Sequence, residues 1–159
     1  MTHLLEQRVV RCPFSVAHDY AEEFFKDAHA GMDMRVPLRD LIPGAGFHAR
    51  HKVRLVFNRR PDEGDAGRAH DLLVLGWRAQ SRLFPDFRGG LSLRIASVDE
   101  TRLTLEGTYD PPFGPLGGIF DLLLGRRLAR STMRDLLRRL GAAMEAREEE
   151  YLRRERAGT

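Results

Sequence analysis

The 159 residues contain one cysteine, Cys12. A disulfide framework is thereby excluded, and a four-ligand zinc site would have to come mainly from the six histidines. No stretch approaches the eighteen or so apolar residues that a membrane helix needs, and uncharged apolar pieces such as Leu72 to Trp77 are strand-sized. No membrane span is expected. Glu6, Arg8 and Arg11 interrupt the first dozen residues where an export signal needs an apolar core, so a cytoplasmic protein is expected. Lysine is nearly missing: Lys26 and Lys52 are the only two, which leaves 24 of the 26 basic residues as arginine. That bias reads as GC-rich coding rather than as a binding adaptation, and no nucleic-acid partner is expected despite a pI near 9.5.

What is present fits a soluble globular chain, with 42% hydrophobic and 31% charged residues. At this length roughly 70% of the unfolded surface can be buried, enough for a core without staples. No repeat, linker or low-complexity tract divides the sequence, so residues 1–159 are expected to form a single domain. The net charge of +3 is concentrated late in the chain, because residues 114–159 hold ten arginines against seven acids and the remainder is balanced.

His3 to Arg11 reads as a strand, ended by Pro13. From Pro13 to Ala30 the period lengthens: Phe14, Ala17, Ala21, Phe24, Phe25 and Ala28 recur at helical spacing, and Gly31 closes the helix. A short edge strand is expected near Met34 to Leu38. Four period-two segments follow, with Val53, Leu55 and Phe57, then Leu73, Leu75 and Trp77, then Leu91, Leu93 and Ile95, then Leu103 and Leu105 on the apolar side. Polar partners between them predict antiparallel strands with one wet face. Leu72 and Val74 make one segment apolar on both sides, which predicts cover of its second face by a neighbouring element or a partner chain. The intervening turns, Pro61 to Gly67 and Val98 to Thr101, are hairpin-like, so the strands form a meander. The chain ends in a helix predicted over about 116–156, with one dry stripe including Ile119, Phe120, Leu123, Met133, Leu136 and Leu140, and one charged stripe of Arg130, Arg134 and Arg138. Such a helix is about 60 Å long and must overhang its sheet.

A strand, a helix, several antiparallel strands and a long amphipathic C-terminal helix make up the order of the SRPBCC superfamily, which this chain resembles. The local likeness is carried by Gly107-Thr-Tyr-Asp-Pro-Pro-Phe-Gly-Pro-Leu-Gly-Gly-Ile-Phe-Asp121 with Gly125-Arg-Arg-Leu-Ala129, and by Arg11-Cys-Pro-Phe-Ser-Val-Ala-His-Asp-Tyr20. The resemblance implies an α+β helix-grip fold: a curved antiparallel sheet of six to seven strands wrapped around the long C-terminal helix. It further implies that ligands occupy the cleft between them. The quoted motifs are packing motifs, so they carry fold rather than activity.

The remaining motifs argue against most chemistries. Pro111 to Gly118 is glycine-rich but lacks the P-loop spacing and its Gly-Lys-Ser/Thr ending. His48 and His51, three apart on a strand, point to opposite faces, and Asp62-Glu63-Gly64-Asp65 is half a calcium loop, so no metal is expected. Cys12 precedes a proline without an evident histidine partner. Gly125 and Gly141 inside the helix cost about 1 kcal/mol each relative to alanine, which predicts close approach to the sheet. An apolar cleft with few polar groups is the remaining candidate, lined by Phe24, His51, Phe57, Trp77, Phe84, Phe87, Tyr109, Phe113 and Phe120. The expected function is binding of a hydrophobic or amphiphilic small molecule, such as a lipid, quinone or polyketide, without a cofactor. Two alternatives stand beside it: a cofactor-free cyclase or dehydratase of the polyketide cyclase type, and an interaction module docking through the basic helix. A homodimer is compatible with either.

Overall fold

In a computed structural model, residues 2–28, 32–37, 48–60, 70–79, 86–110 and 118–158 are described; on β2, β3, the ends of β4 and the first two turns of α2 this description covers the backbone. The elements run β1 (Thr2–Val10), α1 (Phe14–Ala28), β2 (Met32–Pro37), β3 (His48–Arg60), β4 (His70–Ala79), β5 (Asp86–Ser97), β6 (Glu100–Asp110) and α2 (Gly118–Ala157). The strands pair antiparallel in the order β1-β6-β5-β4-β3-β2, so the first strand closes onto the last and the rest form the expected meander. An α+β chain with an antiparallel sheet and a long C-terminal helix is thus observed.

Register lines up the buried positions. Leu73 of β4, Leu91 of β5 and Leu105 of β6 form one cross-strand row, and Leu93 and Leu103 form the next; all five are at most 1% exposed. Their neighbours Arg94, Arg102 and Glu106 point to solvent. Period-two alternation therefore sorts these strands into a dry face and a wet face, as half-buried strands require. Two positions depart from the sequence expectation. Val74 is 39% exposed, so no described element of this chain covers its side of β4, and Ile95, in the last row before a register shift between Ile95 and Ser97, is 55% exposed.

α1 is bounded as its composition dictates. Pro13 precedes the first turn and its carbonyl accepts the Ala17 N–H at 3.0 Å; Ala17, Ala21 and Phe25 are buried at helical spacing. Thr101 fixes the strand end next to it, its hydroxyl donating to the Cys12 carbonyl at 2.8 Å within the core.

α2 departs from a simple two-stripe helix. Between Leu128 and Met144 only Arg134, Arg138 and Ala142 are exposed, and the buried positions span about 280° of the helix at 100° per residue. One sheet face cannot cover so wide an arc. The backbone approaches explain it: α2 runs close to β1 and to β2, the strands at the two opposite ends of the pairing order. Five inter-strand spacings of about 4.8 Å would hold those strands some 24 Å apart in a flat sheet, so the sheet curls to bring both to one helix. Polar residues inside the arc keep partners. Thr132 donates to the Leu128 carbonyl at 2.9 Å, and the buried Asp135 carboxylate pairs with Arg138 and, at 2.9 Å, with Arg139. Of the described residues beyond Met144, none is buried.

Candidate functional site

Contacts along β1 set the direction of α2. Glu6 pairs with Arg134 at 3.0 Å and Arg130 at 3.6 Å, Arg8 and Val10 lie against Gly141, and the Arg11 N–H donates to Glu145 at 3.1 Å. β1 and α2 therefore run the same way. Their two ends differ. One end is closed by Cys12, Thr101 and α1, which packs on α2 and on the sheet; Arg147 reaches back there to the Tyr20 ring at 5.7 Å and to Glu23 at 3.4 Å. The other end, about 27 Å away by eight residues of strand, is where β2 hands over to β3, β4 to β5 and β6 to α2.

The aromatic residues gather toward that second end. One cross-strand row reads Leu55, Trp77, Phe87, Tyr109 and Thr2, and the next reads Phe57, Leu75, Gly89, Gly107 and Leu4. Phe87 and Tyr109 stand directly opposite each other, each 1% exposed. Trp77 holds the register position on the other side of Phe87, and Phe57 the position beside Leu75. His51 faces Met34 across β2 and β3, beyond the end of β4, and Phe120 falls in the first turn of α2. Phe24 is elsewhere: half-buried on α1, with its ring 6.3 Å from Tyr20 and edge-on to Phe25 at 5.3 Å, it belongs to the packing around α1. Phe84 and Phe113 lie outside the described residues.

Gly89 and Gly107 were not singled out by the sequence reading, yet they shape the row beside the aromatic one. A Cβ built on Gly107 would lie 2.4 Å from the Arg88 carbonyl oxygen, 2.6 Å from the Gly89 Cα and 2.6 Å from the Phe87 ring. On Gly89 it would lie 2.1 Å from the Glu106 carbonyl oxygen and 2.7 Å from the Phe87 ring. The missing side chains let β5 and β6 pinch together and give the Phe87 ring its place across both glycines. Gly141 serves similarly in α2, where a Cβ would meet Val10 at 2.7 Å and the Arg8 Nε at 2.8 Å, so the predicted close approach to the sheet is present.

Glu6 and Arg8 were also missed, because a strand that reads Leu4-Leu-Glu-Gln-Arg-Val-Val10 is apolar at both parities. Leu4, Glu6, Arg8 and Val10 share the inward parity, while Leu5 and Val9 are each 45% exposed. The Glu6 carboxylate, 13% exposed, ties the strand edge to α2.

The shifted proton affinities lie at the closed end and on the overhang. Burial first, then the Glu148 and Glu145 carboxylates, push the Cys12 thiol up to about 11. It stays protonated and points at the Pro13 carbonyl at 3.7 Å, the opposite of an activated nucleophile. The Tyr151 hydroxyl, on the exposed overhang, is raised by its hydrogen bond to Glu155 at 2.9 Å. Among the described residues no three metal-ligating side chains cluster, and no helix is long and apolar enough to cross a membrane.

No protein-family model matches the sequence, and no curated protein sequence matches it either. Solved structures do match its fold. Zhui aromatase/cyclase from Streptomyces sp. R1128 superimposes with a TM-score of 0.50 at 13% identity, over 94% of this chain and 95% of that one. A conserved protein from Geobacillus kaustophilus gives 0.52 at 12% identity over 90% and 95%, and a protein from Thermus thermophilus gives 0.50 at 16% identity over 91% and 98%. Near-complete coverage in both directions, joined to a sheet that curls from β1 to β2 around α2, gives this chain the helix-grip fold of these structures.

Proposed function

We propose that this protein binds a hydrophobic or amphiphilic small molecule between the sheet and the N-terminal half of α2. The reading rests on one observation above the others: the dry sheet face carries Phe87 and Tyr109 side by side at the end of the grip away from α1, with Trp77 next in register. Apolar surface taken from water there contributes about 25 cal/mol per Å², and the Tyr109 hydroxyl and the Trp77 N–H would orient the molecule. His51, Phe57 and Phe120 complete the proposed lining from β3 and α2, and Phe84 and Phe113 belong to it by sequence. Phe24 contributes through α1 packing. In this reading the six strands close as a full grip on α2, as the helix-grip likeness supports.

The likeness to an aromatase/cyclase favours a second reading in which the bound molecule is a polyketide-like chain and the site turns it over. That chemistry requires an acid or base beside the substrate.

Trp77 is the only tryptophan, so its emission reports on this region alone. Titration with flavonoids, quinones and fatty acids should change it saturably for one class. Tyr109→Phe should bind that class up to about tenfold more weakly if the hydroxyl makes a hydrogen bond to it. Unchanged Trp77 emission with every class would sink the proposal.

A further inference from the structure

The narrow face that α2 keeps in solvent is occupied by arginine. Arg127, Arg130, Arg134 and Arg138 recur at three- and four-residue spacing, and the Arg134 and Arg138 side chains are 66% and 62% exposed. Arg126 is exposed beside Arg127, and neither has an ion-pair partner among the described residues. The carboxylates in reach are shared: Glu6 serves both Arg130 and Arg134, and Asp135 serves both Arg138 and Arg139. Among the described residues, six arginines, Arg126, Arg127, Arg130, Arg134, Arg138 and Arg139, against two carboxylates leave four unbalanced positive charges on about 20 Å of helix. The overhang beyond it is different in kind, with Glu145, Glu148, Glu149, Glu150 and Glu155 interleaved with Arg147, Arg153, Arg154 and Arg156. The excess charge is therefore confined to the half of α2 that the sheet grips.

We infer that this arginine face docks the protein on an anionic lipid bilayer. A row of guanidinium groups that outnumbers its two neighbouring carboxylates, Glu6 and Asp135, complements a flat, negatively charged plane, and each arginine held near such a surface contributes about 1 kcal/mol of attraction, or roughly fivefold in affinity. The opposite side of the same helical segment, Leu128, Met133 and Leu136, is buried against the core. The choice of a bilayer over a nucleic acid rests on the apolar-ligand reading, since a molecule of low water solubility is held in lipid, and docking would set the grip against that supply.

The test is co-sedimentation of the full chain with phosphatidylcholine vesicles containing about 30 mol% phosphatidylglycerol, against phosphatidylcholine alone, in about 50 mM salt. Saturable binding to the anionic vesicles, at least about tenfold weaker on the neutral ones and lost in about 0.5 M salt, is expected. Arg126→Gln with Arg127→Gln, chosen because neither side chain holds the fold together, should retain the wild-type melting temperature and weaken binding about 30-fold. Equal binding to both vesicles, binding that survives high salt, a double variant that binds like wild type, or binding to a DNA duplex without binding to vesicles would each overturn the inference. Ligand titration at Trp77 is read without vesicles, so failure of the cavity reading and failure of the docking surface are separate results.

Discussion

Replacing Gly107 by alanine adds one methyl group at the pinch between β5 and β6. The new Cβ would lie 2.4 Å from the Arg88 carbonyl oxygen and 2.6 Å from both the Gly89 Cα and the Phe87 ring, where ordinary contact begins near 3.4 Å. Two of those three neighbours are backbone. The ring could swing away, but β5 and β6 would also have to separate by several tenths of an ångström, breaking ladder geometry on both sides. Overpacking in a well-filled core costs about 1 to 3 kcal/mol, and the backbone obstruction puts this variant at the upper end, about 3 kcal/mol. For a chain of this size that lowers the melting temperature by roughly 6 to 12 °C. Gly76→Ala is the control, because among the described residues its Cβ would meet only the Phe87 carbonyl oxygen, at 3.2 Å, and a change of no more than about 1 kcal/mol is expected. Circular dichroism melts of both variants decide the matter. A Gly107→Ala protein as stable as the wild type, or less perturbed than Gly76→Ala, would refute the pinch between β5 and β6 and with it the seat of the Phe87 ring.

Other consequences are as direct. Thr101→Val removes the donor to the buried Cys12 carbonyl while keeping the side-chain shape, so urea unfolding should show a loss of about 1 to 3 kcal/mol. Cys12, whose pKa is raised in the fold from 9.0 to about 11, contributes stability that is fully present below pH 9. That contribution is lost as pH rises from 9 through about 11, because the unfolded chain releases the proton first. The melting temperature of Cys12→Ala should accordingly fall less than that of the wild type over this window. At pH 8 the native thiol should react with an aromatic disulfide reagent only at the rate of local opening, far below the rate in urea.

Much of the fold was legible because one physical rule governed each segment. Leu91, Leu93, Leu103 and Leu105 alternate with Ser92, Arg94, Arg102, Thr104 and Glu106, and period two alone assigned them to the dry face. β1 obeyed no single rule. Its apolar residues fall at both parities, and the charge on its inward parity is matched by Arg130 and Arg134, which lie more than 120 residues away and become neighbours only when the sheet curls onto α2. The width of the dry arc on α2 was hidden for the same reason. Asp135 reads as an interruption of the solvated arginine face, and a helix covered from both ends of a sheet buries it, with Ser131, anyway. Of the proposed lining, Phe87 and Tyr109 are buried on the dry face as their parity predicts, whereas Phe24 follows a helical period that serves α1 packing. Gly89 and Gly107 gave only a weak signal, two glycines inside strand patterns, and their meaning required the register that sets them opposite each other.

The most direct test of apolar ligand binding is a thermal-shift screen of the purified protein against fatty acids, sterols, quinones, flavonoids and aromatic polyketides. A ligand present at 100 times its dissociation constant adds about 2.7 kcal/mol, which for this chain length raises the melting temperature by roughly 5 to 11 °C. The account predicts a rise of that order for one chemical class, diminished in Tyr109→Phe where that class bears a polar group. Melting temperatures that stay unchanged with every class would contradict it.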